Sequence, residues 1–212
     1  MRPRVFICGS SHALRIKNAI LSDQFWVDNY VIKSYARPGA SFSELAFPDF
    51  SKLTKKDLVI IQCFGNDLFE KHIEIERTPV GKIIHLTKVK PVHEEKIQKL
   101  YGLLKERIQN SKAHVIVLDN ILRHLKCCVD HYSSEVGEFQ SRQNAILREY
   151  FQAIPNVLAL NHKELLDISI RHLEEEEVYA LLYEDGVHLQ KKYYCKIAKN
   201  LKKQVFELLY KD

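Results

Sequence analysis

Val5-Phe6-Ile7-Cys8-Gly9-Ser10-Ser11-His12 sets four apolar residues ahead of a glycine, two serines and a histidine. The apolar run is short enough for a buried strand. From about His12 to Leu21, Leu14, Ile16, Ala19 and Ile20 recur at helical spacing. A strand that runs through a small-residue turn into a helix is the opening unit of an α/β fold. The same alternation continues along the chain. Tyr30-Val31-Ile32 reads as a second strand, ending before Pro38-Gly39. Asp57-Leu58-Val59-Ile60-Ile61-Gln62 reads as a third, apolar enough to be buried on both faces. Pro91 and His93 precede an expected helix running to about Gln109, with Ile97, Leu100, Leu103, Leu104 and Ile108 on one face. Ala113 to Leu118 is a fourth strand, Phe139–Phe151 a helix, and Val157-Leu158-Ala159-Leu160 a fifth strand. The last helix starts near Gln190 and carries Ile197, Leu201, Val205 and Leu208. Regular alternation predicts a mainly five-stranded parallel sheet with helices on both faces, within a single domain over residues 1–212.

His72–Ile75 and Lys82–Val89 interrupt the pattern as two β-rich pieces around Thr78-Pro79-Val80-Gly81, the mark of a hairpin or an excursion over the sheet. The acidic run Glu174–Glu177 reads as a solvated helix face.

Composition narrows the classes. The 212 residues are 46% hydrophobic and 28% charged, as in a globular protein able to build a core without disulfide or metal staples. No apolar run approaches the roughly 20 residues of a membrane span. The apolar stretch after Met1-Arg2-Pro3-Arg4 is too short for a secretory signal. Five irregularly spaced cysteines suggest reduced thiols and an intracellular setting, cytoplasmic or nuclear. A net charge of +5 is too small to mark a nucleic-acid binder by itself. Lys191, Lys192, Lys196, Lys199, Lys202 and Lys203 make the last helix basic, which suits solubility first and phosphate contact second. Nothing here sets the oligomeric state.

Ligands in open α/β sheets bind outside the carboxyl ends of the strands. Four segments lie there or just before the last helix: Gly9-Ser10-Ser11-His12, Arg37-Pro38-Gly39-Ala40-Ser41, Phe64-Gly65-Asn66-Asp67 and Asp185-Gly186-Val187-His188. Each has a plain structural explanation. The first is a turn with a serine N-cap. The second is a Pro-Gly turn, and the third is a loop whose side chains bond their own backbone. The fourth is a turn with a structural histidine. Together, however, they hold what a hydrolase needs: a nucleophile, a base, an orienter for the base and donors for an oxyanion. Ser11 stands at a helix N-terminus, where backbone N–H groups and the dipole favour an anion. Gly39 offers an unobstructed amide and Asn66 a side-chain N–H. His188 can take the serine proton, and Asp185 is close enough in sequence to fix its tautomer.

These four segments resemble, in order, the sequence blocks of the SGNH (GDSL-type) hydrolase superfamily, over Gly9 to His188. The resemblance implies a three-layer α/β/α flavodoxin-like sandwich. It implies Ser11 as nucleophile, His188 as base and Asp185 as its partner. The oxyanion hole would be the Ser11 amide, the Gly39 amide and the Asn66 side chain. The activity implied is hydrolysis of a small acyl ester through an acyl-enzyme, with no metal and no organic cofactor. Two positions depart from the family pattern: Ser10 stands where aspartate is usual, and Phe64 where glycine is usual. Arg37-Pro38-Gly39-Ala40, with Gly-Ser-Ser-His and Asp-Gly-Val-His-Leu, also resembles the esterase-like domains of LINE-type retrotransposon proteins and their relatives. An SGNH fold kept as an inactive interaction module, in a retroelement-derived or nucleic-acid-related complex, is the alternative.

Other chemistries fit less well. Gly9–Ala13 is one residue short of a nucleophile elbow, and an α/β-hydrolase would carry its elbow after several strands. Neither G-x-G-x-x-G nor a Walker pattern supports nucleotide binding. His124, Cys127, Cys128 and His131 suggest zinc, but adjacent cysteines fit poorly on one ion.

Overall fold

The structure, a computed structural model, describes residues 2–78, 81–122, 134–166, 181–184 and 187–210. Its strands are β1 (Arg4–Gly9), β2 (Val31–Ala36), β3 (Leu58–Gln62), β4 (Phe69–Thr78), β5 (Gly81–Pro91), β6 (His114–Leu118) and β7 (Val157–Leu160). Its helices are α1 (Ser11–Leu21), α2 (Gln24–Asn29), α3 (Glu94–Ile108), α4 (Ser134–Gln152), α5 (His162–Leu166) and α6 (Lys191–Tyr210).

Five strands form one sheet in the order β2-β1-β3-β6-β7, with every neighbouring pair parallel. Every residue of β3 is buried, because helices cover both faces. Strand alternation sorts the apolar residues into two cores. Val5, Ile7, Leu58, Ile60, Ile116 and Leu118 pack with residues of α1, α2, α5 and α6. Phe6, Cys8, Val59, Ile61, Val115 and Val117 pack with residues of α3 and α4. Trp26 of α2 is fully buried, and its indole N–H donates to the Ala198 carbonyl of α6 at 3.3 Å. Burying a side chain of that kind is worth about 2–3 kcal/mol.

The expected α/β/α sandwich is therefore present, with all five strands where the apolar runs placed them. α4 starts earlier than its periodicity suggested, at Ser134. The short helices α2 and α5 were not foreseen, since six and five residues are too few to show a period. The excursion is a hairpin: β4 and β5 pair antiparallel, with Ile75 opposite Ile84, as a separate two-stranded sheet. Glu174–Glu177 and the His124, Cys127, Cys128, His131 group lie outside the described residues. Among the described residues no helix is long and apolar enough to cross a membrane. Cys8, Cys63 and Cys195 are unbridged thiols. Burial pushes the Cys8 and Cys63 thiols well up, which keeps them protonated and inert.

β1 has β2 on one side and β3 on the other, so the strand order reverses between β1 and β3. In open α/β sheets such a switch point, at the carboxyl rim, is where ligands bind. The opposite rim is closed by an ion pair. Arg4 Nε and Nη2 donate to the two oxygens of Asp57 at 2.7 and 2.6 Å. The Thr54 amide and hydroxyl add bonds to the same carboxylate at 2.8 and 3.0 Å. Burial alone would raise the Asp57 pKa, but the Arg4 and Thr54 hydrogen bonds outweigh it and bring the carboxyl down to about 2.

Candidate active site

Gly9 makes the turn from β1 into α1. Its φ is +142°, and a Cβ there would stand 1.8 Å from the Gln62 carbonyl oxygen. Only glycine allows β1 to pass so close to β3 before turning. The Ser10 amide then donates to that same carbonyl at 3.1 Å, and the Ser10 carbonyl accepts the first helical bond, from Leu14 at 3.2 Å. The N-cap position belongs to Ser10, whose side chain makes no capping bond. A serine does stand at the N-cap, as the plain reading of this turn has it, but without a side-chain capping bond, and Ser11 is the first residue within the helix, half-buried at the rim.

The Pro38-Gly39 turn follows the type II pattern, with φ of +75° at Gly39 and a bond from the Ala40 amide to the Arg37 carbonyl at 3.3 Å. A Cβ on Gly39 would meet nothing within 4 Å, so the backbone conformation and not space demands glycine. The Arg37 amide donates to the Gly9 carbonyl at 2.9 Å, which ties this second loop to the first. In the third loop, the Asn66 side-chain amide donates to the Ala40 carbonyl at 2.9 Å. The Asp67 carboxylate accepts from the Phe42 amide, with both oxygens at 3.0 Å. One reading of this loop has these side chains bonding their own backbone. They instead bond the neighbouring loop, and so the three rim loops are stitched to one another.

The fourth segment meets the first. His188 Nε2 lies 2.9 Å from Ser11 Oγ, across 177 residues of chain. The His188 backbone is held by a short antiparallel pairing, in which the Glu184 amide donates to the His188 carbonyl and the Gln190 amide to the Leu182 carbonyl, both at 2.8 Å. Asp185, the expected partner of the imidazole, lies outside the described residues, as does Gly186.

The two departures from the family pattern are absorbed by packing. Phe64 is 1% exposed, stacked on Phe42 at 5.3 Å between ring centroids and edge-on to Tyr101 at 4.9 Å. Ser10 is 2% exposed. A histidine–carboxylate pair elsewhere, His162 Nδ1 to Asp119 Oδ1 at 2.6 Å, joins the ends of β6 and β7. That carboxylate is already shared with Arg148 at 2.5 Å and with the His162 amide at 2.8 Å, so it serves as a brace. One pair of residues near the site escaped sequence reasoning. His12 is 2% exposed, with its ring centroid 5.2 Å from that of His188, and its Nδ1 lies 2.7 Å from the Tyr194 hydroxyl. The signal was there: a histidine on the buried stripe of α1, four residues before Ile16.

A serine hydroxyl against a neutral imidazole nitrogen is an arrangement that activates oxygen for attack. No family model matches the sequence, and no curated protein matches it. Solved structures do. A GDSL-like lipase from Bacteroides thetaiotaomicron aligns with a TM-score of 0.63 at 14% identity, covering 97% of this chain and 88% of that one. The acetyl xylan esterase AlAXEase aligns at 0.62 and 17% identity, covering 96% and 99%. A carbohydrate esterase of family 3 from Talaromyces cellulolyticus aligns at 0.60 and 13% identity, covering 100% of both chains. The central parallel sheet with its flanking helices is thus a fold that this chain shares with a lipase and esterases of known structure.

Proposed function

We propose that this chain is a serine esterase of the SGNH type, acting on a small acyl ester, with acetyl esters first. The observation that carries the proposal is the 2.9 Å contact between Ser11 Oγ and His188 Nε2 at the carboxyl rim. In the proposed reaction, Ser11 Oγ attacks the ester carbonyl as His188 Nε2 takes its proton. Asp185 holds the imidazole in the tautomer that leaves Nε2 free to accept. The oxyanion is met by the amides of Ser11 and Gly39 and by the Asn66 side chain, which the bond to Ala40 holds on the loop that carries Gly39. His188 returns the proton to the departing alcohol, leaving an acyl-Ser11. Water, deprotonated by the same imidazole, releases the acid. The preference for acetyl is supported by a fold-level neighbour, the acetyl xylan esterase.

The test is turnover of p-nitrophenyl esters from acetate to octanoate, alongside labelling by an organophosphonate and mapping of the labelled peptide. The expected result is adduct at Ser11 and the fastest turnover with acetate. Absence of both turnover and adduct would replace the proposal by the inactive interaction module, and salt-dependent binding of an oligonucleotide to the lysines of α6 would then be the next measurement.

A further inference from the structure

The His188 segment is held against α1 by a buried phenol. The Leu189 amide, next in the chain after His188, donates to the Tyr194 hydroxyl at 3.2 Å. The same hydroxyl lies 2.7 Å from His12 Nδ1. A phenol oxygen both donates and accepts, so it can hold the two groups together. Tyr194 and His12 are each 2% exposed. In such a place hydrogen bonds are short of competing water and fix geometry well. His12 is adjacent to Ser11 on the first turn of α1. The link therefore runs from the residue beside the nucleophile, through one hydroxyl, to the residue beside the imidazole. A weaker, exposed link runs parallel to it: Arg15 of α1 bonds Glu184 at 2.7 Å, and the Glu184 amide donates to the His188 carbonyl.

We infer that Tyr194, anchored by His12, is a positioning residue that sets the distance between the His188 imidazole and the Ser11 hydroxyl. The inference rests on the esterase proposal for its activity readout, but the anchor itself can be read without activity. α6 carries Tyr194 and α1 carries both His12 and Ser11, so the spacing of these two helices is transmitted directly to the Ser11–His188 pair. A phenylalanine at 194 keeps the ring and removes only the shared oxygen. Misplacement of a reacting group by an ångström costs about a hundredfold in rate.

The experiment compares wild type, Tyr194→Phe, His12→Asn and His12→Leu. Asparagine places a polar atom near the Nδ1 position, and leucine does not. With p-nitrophenyl acetate, Tyr194→Phe is expected to lower kcat about 10- to 100-fold with KM within about twofold. His12→Asn is expected to retain most of the rate that His12→Leu loses. Imidazole nitrogen resonances of His188 are recorded in each folded variant, and Tyr194→Phe is expected to lose the shift that Ser11→Ala also abolishes. Wild-type turnover with unchanged kcat and unchanged His188 resonances in Tyr194→Phe overturns the positioning role and leaves the esterase proposal standing. If wild type shows neither turnover nor adduct, the esterase proposal falls and the resonances alone decide the anchor. They support it if they move in Tyr194→Phe and overturn it if they do not. Should Tyr194→Phe fail to fold, the His12 pair decides: a rate gap between Asn and Leu supports the anchor, and equal rates overturn it.

Discussion

The two rims of the sheet are built on opposite principles. At the amino rim, Asp57 accepts four hydrogen bonds from Arg4 and Thr54, and its buried charge is fully answered. Among the described residues, the one non-glycine of positive φ, Asn156, stands there just before β7, and asparagine tolerates that conformation. At the carboxyl rim, Gly9 and Gly39, with positive φ, hold turns that other residues resist. Gln62, the last residue of β3, buries both side-chain amide atoms without a hydrogen-bond partner among the described residues, and so does the Asn120 Oδ1 just past β6. Local costs of this kind collect where a fold supports chemistry rather than stability. The difference teaches where to cut: changes at one rim should remove activity and spare folding, and changes at the other should do the reverse.

The largest effect is expected from Ser11→Ala. Loss of a nucleophile in a serine triad costs on the order of 10⁴-fold or more in rate. Because Ser11 is half-buried and its hydroxyl contact is with His188, the melting temperature should stay near that of wild type. Turnover and thermal melts on one preparation check both halves. A fall in stability matching the fall in rate would erase the distinction between the rims. Asn66→Ala comes next. In the role proposed for it, as one oxyanion donor, its removal costs about 10²- to 10³-fold in kcat. Here it also cuts the bond to Ala40, so the loop carrying Gly39 loosens as well. Steady-state kinetics should therefore show a drop in kcat larger than any rise in KM.

Gly9→Ala sharpens the comparison by striking both fold and site. A Cβ would collide with the Gln62 carbonyl, and φ of +142° is hostile to any L side chain. The expected cost is about 3 kcal/mol or more. Calorimetry or urea unfolding would measure it. The matching change at Gly39 meets no atom within 4 Å, so its cost should be near 1 kcal/mol, from conformation alone.

Much of this was legible in the chain. Leu58–Gln62 declared a strand buried on both faces by the lack of any polar alternation, and β3 is that strand. The Gly-Ser-Ser turn and the late histidine pointed to one rim because strand–helix alternation leaves the carboxyl ends as the place where loops gather. The sequence was silent where the deciding contact is long-range. Nothing local to Asn66 says that its amide will seek Ala40, and nothing local to Asp67 says that it will hold the Phe42 amide. Serine at position 10 has a strong N-cap preference and takes the N-cap position, yet its side chain makes no capping bond. Phe64 looked like a lesion in a catalytic block. It is a core residue, wedged among Phe42, Tyr101 and Phe151, which only the packed molecule reveals.

The change that completes the contrast belongs to Asp57. Its folded pKa of about 2 lies below the ordinary 3.8, so the carboxylate stabilises the folded state at all pH values above about 4. That stability is lost as pH falls from about 4 toward 2, because protonation releases the hold of Arg4 and Thr54. The shift corresponds to about 2 kcal/mol. Asp57→Asn keeps the shape and removes the charge. It should lower the melting temperature at neutral pH by about 4–8 °C for a domain of this size. It should also flatten the fall in stability between about pH 4 and pH 2, since the group that titrates there is gone. At temperatures where the variant stays folded, kcat should remain within about twofold of wild type, because Asp57 holds the rim farthest from Ser11. A folded variant that loses its activity together with its acid titration would mean that the two rims are coupled through β1 and β3, the strands that join Arg4 and Asp57 to Gly9 and Gln62.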